Sequence, residues 1–206
     1  MAGLTDGWAT SELHRGFGQL WINLATLATD AVMTIDFASG NPDSTANPSG
    51  ISAGYTNEGW EFTTSPTFDE IRVDEEEDPV SDFITANETT ISGQMRQIAN
   101  LSRLQKFLPG SVYTGPTGTP TQITKLTGGG LETFSYYTAA LIWPDPNDAD
   151  VFWAVTLYRC LNRGGLSFGI GRTKDSAASV TLTGRAVSGR TAGDRVYAIV
   201  RYEDLS

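Results

Sequence analysis

VFWAVTLYRCL, residues 151–161, is the stretch on which the fold turns. Apolar side chains fill most of it, β-branched and aromatic types predominate, and DPNDAD (145–150) precedes it with turn formers. The run falls well short of the ~18 apolar residues that a membrane helix needs, so it reads as a buried strand. Cys160, the only cysteine, then reads as a structural thiol inside that strand; no internal disulfide is possible, and a reducing, cytoplasmic compartment fits.

Working outward, ETFSYYTAALIW (132–143) precedes this run, and LSFGIGR (166–172), ASVTLTGRAV (178–187) and RVYAIVRYE (195–203) follow it, each with the composition of a strand. In the last, Val196, Ala198 and Val200 alternate with Tyr197, Ile199 and Arg201, which predicts one protected face and one partly polar face. Nearer the start, FGQLWINLA (17–25) and AVMTIDFA (31–38) are expected to pair as a hairpin across TLATD. Asn57-Glu58-Gly59 predicts a tight turn into WEFTT (60–64), with TFDEIRVDE (67–75) and ETTISGQMRQI (88–98) as further strands. The period changes once: Leu101, Leu104 and Leu108 stand three and four apart, Asn100 is placed to cap them, and Pro109-Gly110 stops the run, so one short helix is expected. Residues 39–50 and 109–130, rich in Gly, Pro, Ser, Thr and Asn, are expected as long loops.

The 206 residues suit a single domain, and 39% hydrophobic with only 18% charged residues and 22 glycines suits strands and turns. Net charge is −10, unevenly spread: residues 1–150 carry 20 acidic and 6 basic side chains (−14), residues 151–206 carry 4 and 8 (+4). Opposite ends of that kind bias copies toward head-to-tail association and argue against tight nucleic-acid binding. GQLWINLATLA (18–28) resembles a signal-peptide core only faintly, since Gln19, Asn23 and Thr26 interrupt it.

Catalytic signatures are thin. His14 is the only histidine, which removes the usual general base and, with one cysteine, any zinc site. Five tryptophans and seven tyrosines could stack on sugars, but the acids cluster in one run instead of facing each other across a cleft. DEEED (74–78) and DPNDAD lack the glycine and spacing of a helix-loop-helix calcium site, and GGLSFGIGRTKDS (164–176) lacks the closing Gly-Lys-Ser/Thr of a phosphate loop. No enzymatic activity, cofactor or metal is expected.

The order of segments is more telling. GYTNEGWEFTTSPTFDEIRVDEEEDPVSDFITANETTISGQMRQIANLSRLQKFLP (54–109) runs from a glycine turn (Gly54 to Trp60) through Val73-Asp74 and Pro79-Val80 to a long strand (Thr89 to Ile98) and a short helix (Asn100 to Leu108). This resembles the central region of the major tail tube proteins of tailed bacteriophages. The resemblance implies a mainly β fold, a tail-tube-type β-sandwich or barrel with one short flanking α-helix and long loops. It also implies hexameric rings stacked into a tube, with tape-measure, tail-tip and terminator proteins as partners and DNA passing through unbound. The protein would belong to the virion, assembled in the host cytoplasm, with no membrane association. A chain with about ten short strands is too small to enclose a duplex alone, so several copies must share one wall. A carbohydrate-binding or adhesive β-sandwich of a tail tip, and a terminator or connector ring, are the alternatives.

Asp74, Glu75, Glu76, Glu77 and Asp78 then have two candidate placements besides a plain solvated loop. Lining the bore, they would repel DNA and let it slide. On a ring's rim, they would meet basic residues of the next ring, for which Arg159, Arg163, Arg172 and Lys174 are the candidates.

Overall fold

The computed structural model describes residues 18–28, 31–54, 56–71, 81–96, 100–118, 122–129, 134–148, 150–167 and 177–204. In chain order the elements are β1 (Gln19–Leu24), β2 (Ile35–Asp36), β3 (Asn41–Pro42), β4 (Ile51–Ser52), β5 (Thr56–Ile71), β6 (Ser81–Met95), α1 (Leu101–Phe107), β7 (Ser111–Thr117), β8 (Ile123–Gly128), β9 (Tyr137–Pro144), β10 (Val151–Asn162), β11 (Leu166–Ser167), β12 (Ala177–Gly184) and β13 (Tyr197–Glu203). The fold is mainly β, as the composition predicts.

Strand β10, which contains the opening stretch, organises a nine-stranded antiparallel sheet of order β4-β1-β9-β10-β12-β6-β5, with β13 also on β10 and β11 also on β12. One edge of β10 takes β9, with a register shift between Leu157 and Cys160. The other edge is divided: Val151 to Leu157 pairs with β13, and Cys160 to Asn162 pairs with β12. Covered on both edges, this strand is apolar on both faces, which is why its pattern is a continuous run and not an alternation.

Alternate residues of β9 point to opposite sides, and each side has its own core. Ala139 and Leu141 join Leu20, Ile22, Ile91, Leu157 and Leu182 in one; Ala140 and Ile142 join Leu24, Met33 and Ala154 in the other. Helix α1 covers the first with the buried Leu104 and Phe107. Burial of such side chains contributes roughly 1.5–3 kcal/mol each. The Asn100 Oδ1 accepts from the Arg103 N–H at 3.0 Å, the cap expected of it, and the Asn162 side-chain amide donates to the Phe107 carbonyl at 2.5 Å, tying helix to sheet. Leu27, Met33 and Ile35 cover the second core, where Met33 is buried and its carbonyl accepts from the Tyr202 hydroxyl at 2.5 Å. The chain leaves β10 through Gly164, where any Cβ would come within 2.2 Å of the Ser179 carbonyl oxygen, so only glycine lets this turn lie against β12.

Several local expectations give way to long-range pairing. Residues 17–25 do not pair with 31–38: β1 lies between β9 and β4, and of the second segment only Ile35–Asp36 is in a strand, paired with β3. Both edges of β1 are engaged, and Met33 serves as a plug over the sheet, so the hairpin has no free edge to use. The expected loop 109–130 contains the β7–β8 hairpin, registered Ser111 to Gly128, whose Thr and Gly content masks its alternation. Its first residue is fixed to the helix end, since the Ser111 hydroxyl donates to the Leu108 carbonyl at 2.7 Å. Asn57-Glu58-Gly59 is a bulge inside β5 and not a turn between elements; Gly59 takes φ 84, and the register shifts between Thr56 and Trp60. Residues 39–50 remain mostly turns, pinned by the buried Asn47, whose Oδ1 accepts from the Ala25 N–H at 3.1 Å. In β13, Ala198, Val200 and Tyr202 are half-buried while Ile199, Arg201 and Glu203 are exposed, the alternation expected of it.

Candidate functional site

Strands β5 and β6 pair from Thr56↔Met95 out to Ile71↔Ser81, whereas β12 supports β6 only from Thr90 to Met95. The outer part, Ser65 to Ile71 against Ser81 to Glu88, is therefore a two-stranded arm with no third strand among the described residues, exposed at every position. At ~3.4 Å per residue it reaches about 20–25 Å beyond the sheet. Pro66 lies in it on β5, an edge strand that tolerates the missing N–H donor.

The arm is apolar on both faces. Phe68 and Ile84 are directly opposite each other and 57% and 60% exposed; Phe83, next to Ile84, and Ile71, three residues after Phe68, occupy the reverse face and are 48% and 44% exposed. Two strands alone are marginally stable in water, and large apolar side chains grouped on an exposed surface mark contact sites. Asp69, Glu70 and Asp82 accompany them, so the arm is also acidic.

Residues 72–80 join the two arm strands in the chain, so Asp74, Glu75, Glu76, Glu77 and Asp78 lie outside the described residues, as do Arg172 and Lys174. Arg159 and Arg163 are described and exposed. Arg163 follows β10, its N–H donating to the Thr181 carbonyl at 2.8 Å. Arg159 sits near the end of β10 with its guanidinium 4.1 Å from the centre of the Tyr136 ring. Phe134 packs edge-on against Tyr136 at 5.7 Å, and the two residues are 49% and 39% exposed.

A residue that sequence reading missed stands across from Arg159. The Arg185 N–H donates to the Arg159 carbonyl at 2.7 Å, one step beyond the Cys160↔Gly184 pair, so the two arginines are cross-strand neighbours. Neither forms an ion pair among the described residues. The clue in the sequence is the extension of the β12 alternation by one residue past Gly184.

A second polar group is internal. Arg190 is buried, donates to the Ala28 carbonyl at 2.6 Å and to Asp194 Oδ2 at 2.9 Å, and has its guanidinium carbon 3.5 Å from the centre of the Tyr158 ring. Burial, and then donation to Asp194, push the Tyr158 phenol up to about 12. The arrangement locks the 187–195 turn to residues 27–28.

Chemistry is otherwise sparse. Among the described residues no group of three or more His, Cys, Asp or Glu is arranged to hold a metal ion. Burial pushes the Cys160 thiol well above its ordinary value, as expected for a structural thiol, and its Sγ donates to the Tyr137 carbonyl. His14 lies outside the described residues. A cleft of about 230 Å³ between Gly40, Trp143 and Phe152 has no titratable group in its lining. No described helix is long and apolar enough to cross a membrane.

Compared with protein-family models and with curated proteins, the chain matches none.

Proposed function

We propose that this chain is the structural subunit of a phage tail tube, closing into hexameric rings that stack into the conduit for genome ejection, without catalysing a reaction. The observation that carries this reading is the arm, whose Phe68, Ile71, Phe83 and Ile84 are exposed on two faces. A narrow ribbon of that kind gains stability by insertion between neighbouring surfaces, and identical copies supply such surfaces wherever the chain is concentrated. Among the described residues, the outer edges of β5 and β13 pair with no strand, so adjacent copies have backbone edges to join as well.

Charge supports the same reading. A net charge of −10 keeps a polyanion from adhering to the wall through which it must slide. The number six, the stacking, and the tape-measure, tail-tip and terminator partners come from the resemblance of residues 54–109 to tail tube proteins. Electron microscopy of the purified, concentrated protein tests the reading: hollow rods of stacked rings are expected, and a compact monomer at every concentration would overturn it.

A further inference from the structure

We propose that the acidic run Asp74–Asp78 of one copy docks on a platform formed by Arg159, Arg185, Tyr136 and Phe134 of a second copy. The inference deepens the tail tube reading and rests on it for the presence of that second copy.

The platform is built at a cost to the isolated chain. Like charges directly across an antiparallel pair destabilise it, yet Arg159 and Arg185 are neighbours there with no carboxylate partner among the described residues. Tyr136 holds the Arg159 guanidinium at 4.1 Å, and Phe134 braces Tyr136. A cation held against a ring loses less freedom when an anion arrives, so the group is pre-organised for a negative partner.

The occupant follows from charge and reach. Five consecutive carboxylates form the densest acidic stretch of the chain. The last β12–β6 pair is Thr183↔Thr90, so Arg185 stands two residues further on, level with the base of the arm. The paired ladder then continues to Ile71↔Ser81, a rung about 20–25 Å from that level, and a second copy is the occupant that needs no return along the arm. A nucleic acid offers phosphates of the same sign and bases that stack on aromatics, but a chain of net charge −10 repels long polyanions, whereas a five-residue patch meets only the local field.

The test uses a labelled peptide of residues 71–83 titrated into the dilute full-length chain, read by fluorescence anisotropy. Binding is expected that weakens with salt, and Arg159→Glu with Arg185→Glu should reduce it by about tenfold or more. Both arginines are exposed, so this variant is expected to fold; if it does not, a peptide with Glu75, Glu76 and Glu77 changed to Gln replaces it, with the same loss expected. In assembly, the arginine variant alone should fail to form rods, and changing Glu75, Glu76 and Glu77 to Lys in that same chain should restore them. No peptide binding, or binding indifferent to both sets of changes, overturns the proposal even if rods form. Peptide binding by a chain that never forms rods leaves the contact standing and sinks the tube. Platform-dependent binding of a single-stranded oligonucleotide in place of the peptide overturns the proposal in favour of a nucleic-acid site.

Discussion

Tyr158 and Asp194, thirty-six residues apart, share a hydrogen bond of 2.5 Å from phenol to carboxylate, and Arg190 closes the group from the other side. Donation from Tyr158, then Arg190, holds the Asp194 carboxyl below its ordinary value. A group whose pKa is lowered on folding contributes stability above its unfolded value and loses that contribution as pH falls through the folded one. Asp194→Asn is therefore expected to lower the melting temperature at neutral pH, with the gap to wild type closing as pH drops below about 4. A gap that stays constant into acid would remove Asp194 from the clasp.

Arg190 should matter more than its partner. Arg190→Met keeps an apolar stem over Tyr158 but leaves the Ala28 carbonyl without its donor and Asp194 without its cation. Urea denaturation is expected to give a loss of about 3 kcal/mol. A change below ~1 kcal/mol would mean that the 187–195 turn is held by other contacts.

Gly164→Ala tests the close approach beside β12. The new methyl would collide with the Ser179 carbonyl, a backbone atom that cannot swing aside. A destabilisation of about 1–3 kcal/mol is expected in thermal or chemical denaturation, compared with near-neutrality for Gly165→Ala, where nothing lies within 4 Å.

The arm separates folding from assembly. Phe68→Ser combined with Ile84→Thr removes two exposed side chains, so monomer stability should shift by no more than roughly 0.5 kcal/mol per site. Sedimentation and electron microscopy should nevertheless show loss of rods. Rods formed as readily as by wild type would deny the arm its part in packing.

What the residues disclosed in advance was local. Asn100 and the leucines that follow it encode a helix and its cap within nine residues, and the VFWAVTLYRCL run signals a strand buried on both faces without reference to anything else. Partner choice was not legible, because β1 selects β9 from more than a hundred residues away and a tempting short connection to residues 31–38 carries no information about that competition. Arg159 and Arg163 could be singled out as exposed cations, but the neighbour that matters, Arg185, depends on a register fixed only when β10 and β12 meet. The apolar residues of TFDEI and SDFIT fall on both faces of their strands, which marks side chains that favour cover and is silent on which molecule supplies it.

The way the arm is rooted has a mechanical side. It continues the axis of β6, and β6 is held to the body by the ladder from Thr90↔Thr183 to Met95↔Ala178. Tension along the arm runs parallel to those strands and across their hydrogen bonds, so the rungs share the load and yield together instead of peeling one by one. A joint sheared in this way withstands a sudden axial jolt far better than one that unzips.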